Sequence, residues 1–289
     1  MADYIITTDS TVDIPKKIMD ELNIPCAYMS YIVEDKEYRD DMTDKSALFM
    51  YGLMREGKVP TTAQVNTEDF IELWTPYLEK GTDIVHVGFS SGLSGSTNCA
   101  MLAARDLKES FPDRKIFVVD SLCASGGEGY LLMLAVENKK TGAGALECFN
   151  YLEQIKLRIH HWFTVDDLVY LKRGGRVTPT AAFLANLLSI KPVLNVDSEG
   201  KLIPQEKVKG RRAAIKRMFE RMCDFADGDD NKFVNITHAD CEEDALYLKG
   251  LIEERFKKPA INISMIGAII GAHAGPGTLA LFFLGTKRE

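Results

Sequence analysis

Short apolar runs alternate with amphipathic segments along the first half of the chain. The spacing predicts buried or extended strands at residues 4–8, 25–33, 84–89 and 115–119. Helices are predicted from Pro15, over residues 43–54, 67–80 and 97–107, and from the small-residue turn at 121–129 toward Asn138. Such alternation is typical of a mostly parallel sheet with helices on both faces. We therefore predict an α/β fold for this half.

The pattern changes after a long helix that is predicted to end near Leu157. Beyond it, strands are predicted at residues 161–165, 191–196, 202–208, 232–238, 260–266 and 279–284, with helices at 210–225 and 240–256. The polar turn DSEG at 197–200, between two β-type runs, predicts a hairpin. We predict two domains, an α/β domain at 1–158 and a mixed α+β domain at 159–289. The last strands of the second domain are candidates to pack against the first domain.

The predicted strand at 84–89 runs into the loop SSGLSG at 90–95, which a helix follows. At such a junction, free backbone N–H groups and the helix dipole favour an anion, and the serine hydroxyls add donors. The loop lacks the lysine of a P-loop, so a group with one modest charge, such as a carboxylate, is favoured over a triphosphate. The sequence therefore predicts an anion-binding loop.

Polar side chains end three predicted strands in a similar way. The ends read TTDS at 7–10, GFSS at 88–91 and VVDS at 118–121. Ligands of open parallel sheets bind outside the carboxyl ends of the strands, so we expect these ends to meet at one crevice. The structural alternative is that these side chains only cap the helices that follow, and the two roles can coexist.

Three further segments carry candidate binding groups. A glycine cluster at 267–278 contains His273 and indicates backbone that folds tightly and approaches something closely. The segment PTTAQ at 60–64 offers the hydroxyls of Thr61 and Thr62, and KRGGR at 172–176 forms a basic loop. The alternatives are a histidine held by local backbone, a loop leading into a helix, and a solvated basic surface.

Composition narrows the class of protein. The chain has 289 residues, 46% of them hydrophobic, and a net charge of −7, which argues against a general nucleic-acid-binding protein. Its six cysteines form no C-x-x-C pair, so neither a zinc site nor a disulfide framework is indicated, and we expect reduced, mostly buried thiols. Without a signal-peptide pattern or an apolar run of ~18 residues, we expect a cytoplasmic protein with no membrane-spanning segment.

One motif points to an enzyme. GFSSG at 88–92 matches G-x-S-x-G after a strand, and Asp166 and His273 follow in the chain order of an α/β-hydrolase triad with Ser90 as nucleophile. However, the loop continues through Ser94 before the helix begins, whereas a nucleophile elbow needs the helix directly after the serine. A serine hydrolase remains the alternative hypothesis. A small-molecule kinase is a third class, although the chain has no Walker motif.

In order and spacing, these segments together resemble the DegV family of bacterial fatty-acid-binding proteins, whose better understood members are the acyl-carrying subunits of fatty acid kinase. The matching segments are TDST at 8–11, PTTAQ at 60–64, SGLSG at 91–95, VDS at 119–121, DLVYLKRGGR at 167–176, IKPVL at 190–194 and GAHAGPG at 271–277. The family often has Ser where Ala63 stands and Tyr near Ser96 and Thr97, so the hydroxyl network differs in detail.

The resemblance implies a long-chain fatty acid in a tunnel between the two domains. This chain would present the acid, without catalysis of its own, to an ATP-binding fatty acid kinase subunit that makes the acyl phosphate. Thr62 and Ser94 would bind the carboxylate, with His273 close by. The residues implied as supports are Thr61, Ser91, Gly95 and Ser121. Arg173 and Arg176 become candidates for docking the kinase or steadying the acyl phosphate. No cofactor or metal is implied, and any membrane contact would be transient.

Overall fold

The strands form three sheets in the computed structural model, which describes residues 4–177, 190–227, 233–257 and 259–289. The strands are β1 (Tyr4–Asp9), β2 (Cys26–Ala27), β3 (Ser30–Val33), β4 (Lys36–Arg39), β5 (Thr61–Ala63), β6 (Asp83–Gly88), β7 (Ile116–Asp120), β8 (Ile159–Thr164), β9 (Ile190–Val196), β10 (Leu202–Lys209), β11 (Phe233–His238), β12 (Ala260–Met265) and β13 (Leu279–Leu284).

Helices connect and cover these sheets. In the described ranges they are α1 (Lys16–Glu21), α2 (Asp44–Arg55), α3 (Thr67–Leu78), α4 (Ser96–Ser110), α5 (Gly126–Lys140), α6 (Ala145–Ile155), α7 (Val169–Arg173), α8 (Arg211–Phe225), α9 (Glu242–Arg255) and α10 (Ala268–Ala274). A 3₁₀ turn, Lys156–Arg158, follows α6. Among these helices, none combines the length and apolar character needed to cross a bilayer.

A parallel sheet in the order β2-β1-β6-β7 forms the centre of the first half. All six residues of β6 are buried, because helices cover both faces of the sheet. Ile84 shares a core with Trp74 of α3, whereas its neighbour Val85 shares another core with Leu131 of α5. Side chains of successive strand residues point to opposite faces, so the two cores lie on opposite sides of the sheet. The predicted α/β arrangement is confirmed.

A small antiparallel sheet, β4-β3-β5, was not predicted. Residues 25–33, predicted as one extended stretch, are divided between two sheets. Cys26 and Ala27 pair with β1, whereas Ser30–Val33 pairs with β4 and β5. The sequence KEYR of β4 is too polar to give a strand pattern, and β5 is too short, with only three residues. The pairing matters because it fixes the segment that contains Thr62.

The second half contains a mixed sheet in the order β10-β9-β8-β13-β11-β12. The predicted hairpin is confirmed, because β9 and β10 are antiparallel neighbours. Helices α8 and α9 cover one face, where Met218 and Leu248 share a core with Phe283. Phe163 and Phe282 belong to a separate core. Lys232, the first residue of the predicted strand at 232–238, lies outside the described residues.

The helix predicted from the turn at 121–129 toward Asn138 is α5, and the long helix expected to end near Leu157 is the 11-residue α6. The two are separated by a turn in which Gly142 has a φ of 92°. A further helix was not predicted. The glycine cluster contains the seven-residue helix α10, which is too short for a periodic apolar pattern. This helix shares a core with Met50 and Tyr51 of the first half, and the Tyr51 hydroxyl donates to the Ile266 carbonyl at 2.7 Å. The division at residue 158 stays a prediction.

Candidate functional site

A cavity of about 430 Å³, here called the apolar cavity, lies outside the carboxyl ends of the parallel strands. Its walls come from the loops after β6 and β7, from β5 and α10, and from β8, β9, β10 and β13. Its apolar lining consists of Met29, Ala63, Phe89, Leu93, Ala124, Phe163, Leu171, Val196, Leu202, Ile266, Ile269, Ile270, Ala274, Ala280 and Phe282. This volume and this lining are typical of a small-molecule site. A cavity thus lies at the strand ends, as predicted, although of residues 7–10, 88–91 and 118–121 only Phe89 lines it.

One end of the apolar cavity is polar. The hydroxyl of Thr62 lies 2.8 Å from Nε2 of His273, and both side chains line the cavity with Ser94. The guanidinium of Arg176 also lines this end, and its Nε donates to the carbonyl of Leu93 at 3.1 Å. Chain segments more than 200 residues apart thus meet here, since Thr62 lies on β5 and His273 on α10. We call Thr62, Ser94, Arg176 and His273 the head-group site.

Burial determines the charges at the head-group site. It lowers the pKa of His273 to about 4, with a further lowering by the positive charge of Arg176, so the imidazole is neutral at pH 7. Burial also lowers the pKa of Arg176, which nevertheless keeps its proton. The site therefore offers hydroxyl donors and one half-buried cation. Such a combination can hold a carboxylate that has lost its water.

The other polar groups that line the apolar cavity already have partners within the protein. The hydroxyl of Ser125 donates to the carboxylate of Asp13, and that of Thr278 donates to the carbonyl of Ala274 at 2.9 Å. Nε2 of His161 accepts a hydrogen bond from the backbone of Ala124 at 3.3 Å. At the head-group site the Ser94 hydroxyl also has a partner, since it accepts from the backbone N–H of Ser96 at 3.3 Å, but its own proton stays available to a ligand. The rest of the cavity suits an apolar chain because most of its lining is apolar.

The four residues predicted as supports do not line the apolar cavity. Thr61 is exposed and borders a smaller neighbouring cavity. Ser91 is exposed, and its backbone N–H donates to Asp120 at 3.1 Å. Gly95 is the N-cap residue of α4, and an added Cβ there would lie 2.4 Å from the amide oxygen of Gln64. Ser121 is buried, and its hydroxyl accepts from the backbone of Cys123 at 3.0 Å. These residues shape the loops around the site.

The hydroxyls at the strand ends mostly hold loops. Ser10 accepts from the backbone N–H of Met29 at 3.1 Å, and Ser90 donates to the carbonyl of Gly200 at 2.8 Å. They neither line the apolar cavity nor cap the helices that follow, because the N-termini of α1, α4 and α5 have no side-chain cap. Gln64, in the segment PTTAQ, lines the cavity and was not predicted as a site residue. Arg176, expected to dock the kinase or steady the acyl phosphate, lines the cavity as well.

The hydrolase triad is not assembled. Ser90 is fully buried and does not line the apolar cavity, and its hydroxyl is already engaged with Gly200. His273 is hydrogen-bonded to Thr62, and Asp166 forms an ion pair with Lys191 at 2.7 Å. A nucleophilic serine needs a base within hydrogen-bond reach, and among the described residues the Ser90 hydroxyl contacts only backbone groups. This arrangement does not support the alternative hypothesis of a serine hydrolase.

Comparisons with known proteins agree with the fold. The model of a family described as "Uncharacterised protein, DegV family COG1307" matches residues 4–286. A DegV domain-containing protein of Clostridium perfringens is 38% identical over 290 residues, which cover 100% of each chain. A solved DegV family protein from Thermus thermophilus, described by its fatty acid binding, is 28% identical with a TM-score of 0.88, over 98% of this chain and 99% of that one. A solved structure described as DegV, a fatty acid binding protein from Bacillus subtilis, is 27% identical with a TM-score of 0.84, over 99% and 100% of the two chains.

Proposed function

The chain belongs to the DegV family, and on that premise we propose that it binds one long-chain fatty acid in the apolar cavity. The observation that carries the proposal is the cavity itself, an apolar space that has Thr62, Ser94 and His273 at one end. The fatty acid binding described for the Thermus thermophilus and Bacillus subtilis relatives supports the same ligand class. The carboxylate then lies at the head-group site and the acyl tail in the remainder of the cavity.

The head-group site suits a carboxylate because it supplies donors and no competing acid. The hydroxyls of Thr62 and Ser94 donate to the carboxylate oxygens, and the charge of Arg176 offsets part of the desolvation cost. The neutral imidazole of His273 fixes the Thr62 hydroxyl. Mostly neutral donors hold the acid without enclosing it in a tight ion pair, so the carboxylate stays reactive.

Most of the affinity comes from the acyl tail. Burial stabilises each methylene by ~0.8 kcal/mol, so about 14 buried methylenes contribute roughly 11 kcal/mol before the costs of ordering the ligand are subtracted. The head group adds orientation and selectivity. Acids with a tail too long for the cavity, or with a bulky branch, are expected to bind less tightly.

We further propose that the chain presents its fatty acid to an ATP-binding kinase subunit. A carboxylate oxygen attacks the γ-phosphorus of ATP, the bond to ADP breaks, and an acyl phosphate forms. ATP comes from the partner, because the sequence has no Walker motif. Gln64 and Arg173 are exposed beside the head-group site, which gives the partner a route to the carboxylate. The dependence on ATP agrees with a cytoplasmic location.

Ser94→Ala is expected to weaken binding of hexadecanoate about tenfold, because it removes one hydrogen bond to a charged group. The fold is expected to survive, since Ser94 is only half-buried. The matched control is Ser91→Ala in the same loop, whose side chain does not line the apolar cavity. Both variants are delipidated and titrated with hexadecanoate by calorimetry. Equal affinities of the two variants would exclude Ser94 from the head-group site.

The kinase step is tested by trapping its product. The loaded chain is incubated with ATP, Mg²⁺ and a bacterial fatty acid kinase subunit in the presence of hydroxylamine, which converts an acyl phosphate to a hydroxamate. We expect hexadecanoyl hydroxamate only when chain, kinase and ATP are all present, and less of it with Ser94→Ala. Hydroxamate formation that does not depend on this chain would contradict presentation, while leaving fatty acid binding intact.

A further inference from the structure

Two fully buried acids lie close together at the end of β1. Asp9 is the last residue of that strand, and Glu128 belongs to the first turn of α5. The hydroxyl of Thr11 lies between them, 2.6 Å from Oδ1 of Asp9 and 2.7 Å from Oε2 of Glu128. We call Asp9, Thr11 and Glu128 the buried acid relay. None of the three lines the apolar cavity, so the proposed ligand does not touch them.

The two short contacts of the Thr11 hydroxyl need one proton more than the hydroxyl has. With its single proton it donates to one acid, so the other acid must be protonated and donate to the hydroxyl oxygen. Both oxygens of Asp9 already accept backbone N–H groups, Oδ1 from Thr11 at 3.1 Å and Oδ2 from Phe89 at 3.0 Å. Asp9 is therefore the acceptor, and Glu128 is the acid that donates to Thr11.

The hydrogen bonds of Glu128 also fit a neutral acid. Within the described residues its carboxyl group contacts only hydroxyls, and the Thr8 hydroxyl at 3.4 Å already donates to the carbonyl of Val87 at 2.8 Å. The dipole of α5 favours an anion at its first turn, but no described backbone N–H donates to this carboxyl group. An ionised carboxylate here would be buried without the donors it needs.

The titratable groups around Glu128 do not favour its ionisation. Burial raises the pKa of Glu128 well above its ordinary value, and the negative charges of Asp9 and Asp13 raise it further. The thiols of Cys26 and Cys123 also face it, and burial raises the pKa of both, so they are neutral. Burial raises the pKa of Asp9 as well, but its hydrogen bonds from Thr11 and Phe89 act in the opposite direction.

Resting on the proposed function, we propose that Glu128 is held as a neutral acid and that the buried acid relay positions the loop that contains Ser94. The proton of Glu128 turns the Thr11 hydroxyl toward Asp9. Asp9 in turn accepts the N–H of Phe89, which is the first residue after β6 and lines the apolar cavity. Ser94 follows in the same loop. Glu128 is thus a positioning residue for the head-group site.

The protonation of Glu128 is tested by the pH dependence of stability. In the unfolded chain Glu128 ionises near its ordinary pKa of about 4.3, whereas in the folded chain it keeps its proton, so the folded state binds one proton more above that pH. Between pH 5 and 8, the ratio of folded to unfolded unmodified chain should therefore fall by about tenfold per pH unit relative to the ratio for Glu128→Gln. Urea unfolding of the delipidated chains measures both ratios.

The matched control is Glu137→Gln, the same change at an exposed residue of α5, which should follow the pH profile of the unmodified chain. Burial raises the pKa of Asp13 to about 7, and this group titrates in all three chains. Parallel pH profiles of the unmodified chain and Glu128→Gln would mean that Glu128 is ionised in the folded chain, and they would overturn the proposal.

The positioning role is tested by titration with hexadecanoate at pH 7. Glu128→Gln keeps an N–H donor for Thr11 and is expected to bind the acid as the unmodified chain does. Glu128→Leu has no such donor and is expected to bind it about tenfold less tightly. Circular dichroism establishes that both variants fold. Equal affinities of the two folded variants would contradict the positioning role.

A second pair of variants serves if Glu128→Leu does not fold. Thr11→Val removes the central hydroxyl at nearly constant volume, and Thr11→Ser retains it, so only Thr11→Val should lose hexadecanoate affinity. Equal affinities of this pair would contradict the positioning role in the same way. Failure of the unmodified chain to bind hexadecanoate would contradict the proposed function instead, whereas the pH profiles would still determine whether Glu128 is protonated.

Discussion

Ile270→Trp is expected to abolish retention of a long-chain fatty acid. Ile270 is a half-buried residue of α10, and its side chain lines the apolar cavity. The larger indole occupies part of a cavity of only about 430 Å³. If it displaces about four methylenes at ~0.8 kcal/mol each, the affinity falls by roughly a hundredfold or more. Mass spectrometry of the purified variant and titration with hexadecanoate measure the loss.

The matched control is Ile270→Leu, which conserves side-chain volume and is expected to bind the acid nearly normally. Circular dichroism and thermal unfolding establish that both variants fold. A folded Ile270→Trp variant with undiminished hexadecanoate affinity would mean that the tail lies outside the apolar cavity. A loss of binding in both variants would instead indicate a structural effect at this position.

Arg288→Ala is expected to have the largest effect on stability. Arg288 is 5% exposed, and its guanidinium donates to four backbone carbonyls, those of Leu122, Lys156, Val196 and Asp197. It thereby joins the loop after β7, the end of α6 and the β9–β10 hairpin. Its removal takes a charged donor from all four carbonyls, although those of Asp197 and Lys156 keep the backbone N–H groups of Gly200 and Ile159, and we expect the free energy of unfolding to fall by about 3 kcal/mol.

Urea unfolding of the delipidated chain measures this change, because bound ligand would add its own stabilisation. Lys287→Ala is the matched control: the neighbouring residue is exposed and should unfold at the same urea concentration as the unmodified chain. Equal urea concentrations at the unfolding midpoints of Arg288→Ala and Lys287→Ala would contradict this expectation. They would show that water replaces the lost donors with little change in the free energy of unfolding.

Much of the fold could be predicted because it depends on local apolar patterns. The strand at 84–89 is a continuous apolar run, as expected for a strand covered on both faces, and β6 lies there. By contrast, β5 and α10 are stabilised by distant partners. Thr62 is on a three-residue strand that pairs with β3, and α10 packs against α2. Neither leaves a periodic signal in its own sequence.

Three residues of the head-group site could be singled out in the sequence, whereas the apolar lining of the cavity could not. Hydroxyls and a histidine among glycines are chemically conspicuous, and Thr62, Ser94 and His273 do line one cavity. The resemblance to a family was needed to bring them together, since Thr62 and His273 are 211 residues apart. Ile270 and Phe282 could not be assigned, because an apolar residue that lines a cavity looks the same in sequence as one in a solid core.

The most direct test of the central claim is denaturing extraction of the chain after purification from a bacterial host, followed by mass spectrometry of the extract. If the acyl tail is buried in the apolar cavity as proposed, the acid is expected to survive purification. We predict about one long-chain fatty acid per chain, and markedly less with Ile270→Trp. An extract without stoichiometric fatty acid, from a chain that also fails to bind added hexadecanoate, would contradict fatty acid binding.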